Sequence, residues 1–107
     1  MKLIFHGGAK EVGRSCIQLI TEHGDEYLFD AGIKFKHHGY EYPKILDKLD
    51  SLDGLFLSHA HLDHSGALPM FYHKKLLPTI FTTSQTASII KILLKDSYKI
   101  ARIKHLN

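Results

Sequence analysis

One ten-residue segment carries most of the chemical information in this sequence, LSHAHLDHSG at residues 57–66. Imidazole nitrogens and carboxylate oxygens are ligands that zinc binds at about 2.0–2.2 Å. The segment follows a short apolar run, residues 54–57, which is typical of a buried strand. Three histidines and an aspartate in this register rarely arise by chance, even in a chain with nine histidines. The segment therefore predicts a metal site with four candidate ligands, His59, His61, Asp63 and His64.

The spacing of these ligands suits two metal ions. His59 and His61 lie two residues apart, so in an extended segment both rings can face the same way and chelate one ion. Asp63 and His64 must then turn toward a second point, which a loop between a strand and a helix would allow. Two ions about 3.5–4 Å apart can polarise the oxygens of a scissile ester. The pattern is therefore typical of a two-metal hydrolase.

The N-terminal part of the sequence predicts short strands joined by tight turns. A hairpin turn is expected at His23-Gly24-Asp25, and an irregular loop at residues 33–42. Pro43 suits the first turn of a short helix that reaches Leu49. The strands are expected at residues 2–6, 15–21, 26–29 and 54–57.

The C-terminal part predicts helices that alternate with one strand. Residues 67–74 have apolar side chains at helical spacing, and residues 79–82 have a strand pattern. A long helix is expected to begin near Thr82 or Thr83, with Thr82 and Gln85 as a capping box, and to run to Asn107. Strands followed by alternating helices and strands indicate an α/β or α+β fold, with helices on at least one face of the sheet.

Length and composition agree with one small globular domain. The chain has 107 residues, of which 44% are hydrophobic and 23% charged, enough for one modest core. The net charge of +3 permits an anionic partner without requiring one. The single cysteine, Cys16, excludes an intrachain disulfide. The sequence has no apolar run near the ~20 residues that span a bilayer and no signal-peptide pattern, so we expect a cytoplasmic protein with no membrane partner.

The histidine segment resembles the metallo-β-lactamase superfamily and, within it, the β-CASP branch of RNA-processing nucleases. That branch includes RNase J and the cleavage-and-polyadenylation endonucleases. GAKEVGRSC at residues 8–16 is similar to the Gly-x-x-x-Glu-Val-Gly-Arg-Ser loop and strand of this branch. LFDAG at residues 28–32 is similar to the first superfamily motif, in which an aspartate ends a strand. The resemblance extends over essentially the whole chain.

This resemblance implies a zinc-dependent ribonuclease with RNA as its partner. His59 and His61 would ligate one Zn²⁺ ion, and Asp63 and His64 would ligate a second. Asp63 would also hold the attacking water, and Asp30 would orient the metal-binding loop, so both are candidate catalytic residues.

The resemblance also implies that residues 1–107 form only part of a metallo-β-lactamase domain. The superfamily fold is a four-layer αββα sandwich of two similar halves, and this chain resembles the N-terminal half. A later histidine, a bridging aspartate, a final histidine and the β-CASP insertion belong to segments that this sequence does not contain. We therefore expect a C-terminal half or a complementary polypeptide as a partner, and an exposed sheet face or edge where it would pack.

Two other functions stay open at this point. The first is another hydrolase of the same fold, such as a glyoxalase-II-like thioesterase, although the Glu-Val-Gly-Arg-Ser stretch argues against it. The second is a non-catalytic assembly or binding subunit with an incomplete site. Arg14 is a candidate substrate-binding residue that would contact a phosphate, with an ion pair to a nearby acid as the alternative.

Overall fold

The chain folds into a mixed α/β structure built on one six-stranded sheet. The computed structural model of the chain describes residues 1–37, 39–73, 76, 78–93 and 102–105. The mixed α/β class predicted from the sequence is confirmed. The strands of the described part are β1 (Lys2–Gly7), β2 (Cys16–Ile20), β3 (Glu26–Phe29), β4 (Lys34–Lys36), β5 (Gly39–Glu41), β6 (Gly54–Phe56), β7 (Thr79–Thr82) and β8 (Arg102–His105).

The helical segments in this part of the chain are short. They are a 3-10 helix (Lys44–Asp47), α1 (Leu62–Ser65), α2 (Leu68–His73) and α3 (Ser84–Leu93). None of the helices in the described ranges combines the length and the apolar character needed to cross a membrane.

The strand order of the main sheet is β1-β2-β3-β6-β7-β8. Strands β1, β2 and β3 pair antiparallel, and β3, β6, β7 and β8 pair parallel. The β2–β3 hairpin turns where predicted, with Gly24 at φ 85° and a hydrogen bond from the Thr21 N–H to the Asp25 carbonyl. Parallel neighbours need crossover connections, and α3 fills that role between β7 and β8.

The two faces of this sheet differ in burial. Leu28, Leu55 and Ile80 are aligned across β3, β6 and β7 and are fully buried. They belong to a core with residues of the 3-10 helix, α2 and α3, including Leu46, Leu68, Phe71 and Ile90.

The opposite face carries a row of aromatic rings. Phe29 stacks on Phe56 at a centroid distance of 5.2 Å, and Phe56 stacks on Phe81 at 4.9 Å. This aromatic face continues to β1, where Phe5 is 61% and Leu3 57% exposed. Because strands alternate their side chains between faces, the row is the other side of the buried Leu28-Leu55-Ile80 layer.

The structure corrects the sequence interpretation in three places. Residues 33–42 are not an irregular loop, because β4 and β5 form a two-stranded sheet there. The long helix to Asn107 is wrong, since α3 is described only to Leu93 and Arg102–His105 is a strand beside β7. The N-cap of α3 is Thr83, whose Oγ1 accepts from the Thr86 N–H, whereas Thr82 ends β7. Residues 94–101 lie outside the described part of the chain.

An extended segment after β3, residues 30–33, ties three parts of the chain together. The Ala31 N–H donates to the His64 carbonyl at 2.8 Å, and the Gly32 N–H donates to the Ser15 carbonyl at 3.0 Å. The Ser15 N–H in turn donates to the Asp63 carbonyl at 3.0 Å. A Cβ atom at Gly32 would overlap the Asp63 carbonyl group. Gly32 therefore lets the histidine segment approach the sheet this closely.

We expect Gly32→Ala to lower the free energy of unfolding by about 3 kcal/mol, because the added methyl group meets backbone that no rotamer change can move. Gly24→Ala is the matched control: nothing lies within 4 Å of its Cβ position, and its positive φ alone should cost about 1 kcal/mol. Urea unfolding followed by circular dichroism measures both. Equal losses in the two variants would show that the close approach at Gly32 is not needed.

Candidate metal centre

The histidine segment begins where β6 ends and is held there by backbone contacts. The Leu57 N–H donates to the Phe81 carbonyl, and the Thr82 hydroxyl donates to the Leu57 carbonyl at 3.0 Å. Helix α1 starts after His61, whose carbonyl accepts the N–H groups of His64 and Ser65 at 2.9 Å each. The turn into α1 directs the side chains that follow it back toward the end of the strand.

Asp30 connects the strand ends to this segment. It follows β3 with a left-handed φ of 66°, which aspartate adopts more readily than most residues. Its Oδ1 accepts from the Ser58 N–H at 2.7 Å. Its Oδ2 lies 2.8 Å from the Ser58 hydroxyl and 2.7 Å from His64 Nδ1. The carboxylate is almost fully buried, with the residue 7% exposed, so these contacts replace its hydration.

These hydrogen bonds determine which ring nitrogens remain available. A carboxylate only accepts, so the Nδ1 atom of His64 must donate its hydrogen to Asp30. The Ser58 hydroxyl gives its hydrogen to Asp30 and therefore accepts from His59 Nδ1, which lies 2.9 Å away. In both neutral rings the Nε2 atom keeps its lone pair. The contacts of Asp30 thus hold two imidazoles in an arrangement that suits metal ligands.

His59, Asp63 and His64 form the cluster that can hold the ion. One donor atom from each of the three lies within 4.8 Å of the others. The rings of His59 and His64 have centroids 3.9 Å apart, and His64 Nε2 lies 3.4 Å from Asp63 Oδ2. Two imidazoles and a carboxylate are donors that fit a divalent metal ion.

His61 lies beside this cluster. It is exposed, and its ring centroid is 5.0 Å from that of His59. The sequence paired His59 with His61, whereas the structure groups His59 with Asp63 and His64. The division of four ligands between two ions stays a prediction.

The family model of the metallo-beta-lactamase superfamily matches residues 13–80. The chain belongs to this superfamily. The matched range includes Asp30 and all four candidate ligands.

Curated relatives match nearly the whole chain and bear out its resemblance to the β-CASP branch. The sequence is 45% identical over 105 residues to "Probable RNase MJ4" of Methanocaldococcus jannaschii, covering 98% of this chain and 24% of the relative. It is 40% identical over 100 residues to cleavage and polyadenylation specificity factor 73 of Drosophila melanogaster, covering 91% of this chain and 14% of the relative. The chain thus spans a quarter or less of the length of these two relatives.

A solved structure with the same fold is that of human tRNase Z, short form. It superposes with a TM-score of 0.56 at 19% sequence identity and covers 98% of this chain and 44% of the other. This likeness supports the metallo-β-lactamase fold.

The loop before β2 forms a second polar cluster beside the metallo-β-lactamase motif. Glu11 accepts from Arg14 Nε at 2.8 Å, from Lys34 Nζ at 3.0 Å and from the Gly8 N–H at 3.1 Å. The hydrogen bonds from Arg14, then Lys34, then Gly8 lower the pKa of the Glu11 carboxyl to about 2. Glu11 is therefore ionised at neutral pH and holds β4 against this loop.

Arg14, the candidate phosphate contact, lies in this cluster. Its guanidinium is bonded to Glu11 and lies 3.6 Å from Glu41 Oε2. Hydrogen bonding to Glu11 raises the pKa of Arg14. The structure thus shows the ion-pair alternative for Arg14, and contact with a phosphate stays a prediction.

Two contributors to the site were not identified from the sequence. Ser58 relays the Asp30 contact to His59, and Glu11 connects the loop to the β4–β5 hairpin. Ser58 stands next to the first histidine, but its sequence position alone does not distinguish a relay from an exposed serine. Glu11 belongs to the Glu-Val-Gly-Arg-Ser stretch, but the sequence does not reveal its role, because its cationic partner Lys34 lies 23 residues away.

We expect Asp30→Asn to weaken Zn²⁺ binding by about 10–100-fold. Asparagine tolerates the left-handed backbone, but its amide would face donors where the carboxylate accepts from Ser58 and His64. Competition with a chromophoric chelator measures the affinity, and Asp50→Asn, which changes an exposed carboxylate of the same type, is the control. Unchanged zinc affinity in Asp30→Asn would contradict the positioning role.

Proposed function

We propose that this chain provides part of the active site of a two-zinc ribonuclease that hydrolyses RNA phosphodiester bonds. The observation that carries the proposal is the Asp30 network, in which Nδ1 of His59 and Nδ1 of His64 face Ser58 and Asp30, so that Nε2 is the nitrogen available to a metal ion near the Asp63 carboxylate. The names of the relatives, a probable RNase and a cleavage and polyadenylation factor, support RNA as the substrate. His59 and His61 would hold one zinc ion, and Asp63 and His64 the other.

Each residue of the site has a separate task in this proposal. Zinc ions, when bound, supply Lewis acidity and lower the pKa of water at the site. Asp63 is half exposed, with 40% of its side chain accessible, so its carboxylate can also orient an attacking water. Asp30 keeps its carboxylate on Ser58 and His64 and does not contact the substrate.

The remaining ligands of the site would come from a C-terminal half or a complementary polypeptide. The aromatic face supports this proposal, since it exposes Phe5, Leu3 and part of Phe29. Apolar surface of this kind marks a place where another structural element packs. A second sheet on the aromatic face would complete an αββα sandwich and, by its position, bring further ligands to the same strand ends. We also propose the cytoplasmic location that is expected from the sequence.

The test is an RNA hydrolysis assay on the protein recovered from its source cells through a tag on this chain. Labelled single-stranded RNA should be cleaved, cleavage should stop with a chelator, and added Zn²⁺ should restore it. Asp63→Asn should lower the rate by at least about 100-fold, because the site loses a charged ligand and the water contact. Asp50→Asn should not change the rate.

Three other outcomes would contradict the proposal in different ways. Hydrolysis of a thioester but not of RNA would establish a glyoxalase-II-like enzyme. Weak zinc retention with neither activity would indicate a non-catalytic assembly subunit. RNA cleavage that persists in both the chelator and Asp63→Asn would place the chemistry elsewhere.

A further inference from the structure

A groove lies beside the candidate metal centre. Its volume is about 840 Å³, within the range of roughly 300–1,000 Å³ typical of ligand-binding clefts. His61 and Asp63 lie on its wall, so the groove is continuous with the candidate metal centre. Lys10, Val12 and Phe35 line it farther along. A molecule held at the metal ions therefore has a path into this groove.

The side chains that line the groove combine one free cation with exposed apolar groups. Phe35 is 64% exposed and Val12 is 85% exposed, and both side chains line the same groove. Lys10 has no ion-pair partner within the described part of the chain, whereas Lys34 is neutralised by Glu11. An aromatic ring and an ammonium group on the wall of one groove are the combination that binds single-stranded nucleic acid, by base stacking and phosphate contact.

The hairpin that carries Phe35 is held by backbone pairing and by two ion pairs. Lys34 is paired with Glu11 and Lys36 with Glu41, at 3.0 and 2.8 Å. Phe35 and Tyr40 are cross-strand partners, so they share the other face of the hairpin. The ion pairs therefore fix the two strands without engaging the aromatic ring, and stacking on Phe35 would not require the hairpin to fold.

We propose that this groove binds the RNA nucleotide next to the scissile phosphate, with its base stacked on Phe35 and a backbone phosphate at Lys10. The inference rests on the proposed function and assigns a substrate subsite to it. A protein segment is the less favoured occupant, because it would cover His61 and Asp63, to which a substrate needs access. The aromatic face offers a protein segment a separate apolar surface, with Phe5 and Leu3 exposed.

The test measures RNA binding without hydrolysis. A fluorescein-labelled eight-nucleotide adenine RNA containing one 2-aminopurine is titrated with the chain in the presence of EDTA. Anisotropy gives the affinity, and quenching of the 2-aminopurine reports stacking. Phe35→Leu, which keeps an apolar side chain without a ring, should weaken binding about tenfold and remove the quenching. Phe35→Tyr should keep the RNA affinity and the quenching within about twofold of the wild-type values, because it keeps the ring.

Matched variants separate the groove from general effects. Tyr40→Leu removes the neighbouring exposed ring, which does not line the groove, and should bind like the wild type. Lys10→Asn suits the left-handed backbone of Lys10, at φ 59°. It should weaken binding and reduce the slope of log affinity against log salt by about one. Lys48→Asn removes an exposed lysine elsewhere and should leave the slope unchanged.

Several results would overturn the subsite. They are wild-type affinity and quenching in Phe35→Leu, equal losses in Phe35→Leu and Tyr40→Leu, or no RNA binding by the wild-type chain. Binding of an apolar peptide that the same Phe35 variant abolishes, without RNA binding, would identify a protein site instead. Because EDTA excludes the metal reaction, the binding test does not depend on hydrolysis. Stacking by this chain, without RNA cleavage by the zinc-loaded protein recovered from its source cells, would refute the proposed function and retain the subsite. RNA cleavage with an unchanged KM in Phe35→Leu would refute the subsite and retain the proposed function.

Discussion

The buried carboxylate of Asp30 joins the strand ends to the residues of the candidate metal centre. It lies at the end of β3, in a left-handed conformation that turns the side chain toward the end of the neighbouring strand β6. From there it accepts hydrogen bonds from Ser58 and His64. Without a carboxylate at this point, the His64 ring would lose the partner that determines which nitrogen carries hydrogen. The chemistry of the histidine segment therefore depends on a residue about 30 positions before it.

The backbone around Asp30 determines the position of its carboxylate. The segment at residues 30–33 donates to both the histidine segment and the loop before β2, and Gly32 removes the side chain that would separate them. Glu11 then binds the same loop to the β4–β5 hairpin. The metal ligands, the groove and the hairpin thus share one set of contacts. A substrate that binds along the groove would meet side chains that are already placed before it arrives.

The sequence predicted the parts of this arrangement that are local. The histidine segment was identified because its residue types follow an apolar strand at a spacing that suits metal ligands, and Asp30 was identified because residues 28–32 resemble the first superfamily motif. The β4–β5 hairpin was missed because its strands have only three residues each and are rich in charge. Ion pairs to Glu11 and Glu41 hold these strands, and such pairs cannot be read from the local sequence. Strand β8 was read as helix because its pairing with β7 is a tertiary contact, which overrides the local pattern. The Ser58 relay could not be predicted, since it depends on the relative position of two strand ends.

The most direct test of the Asp30 interaction is the hydrogen position on each histidine ring. Long-range proton–nitrogen NMR on the metal-free chain, at a pH where the imidazoles are neutral, distinguishes the two tautomers. We expect both His59 and His64 to carry hydrogen on Nδ1 and to leave Nε2 unprotonated. Hydrogen on Nε2 of His64 would contradict the proposed role of Asp30, because a carboxylate cannot donate to an unprotonated Nδ1.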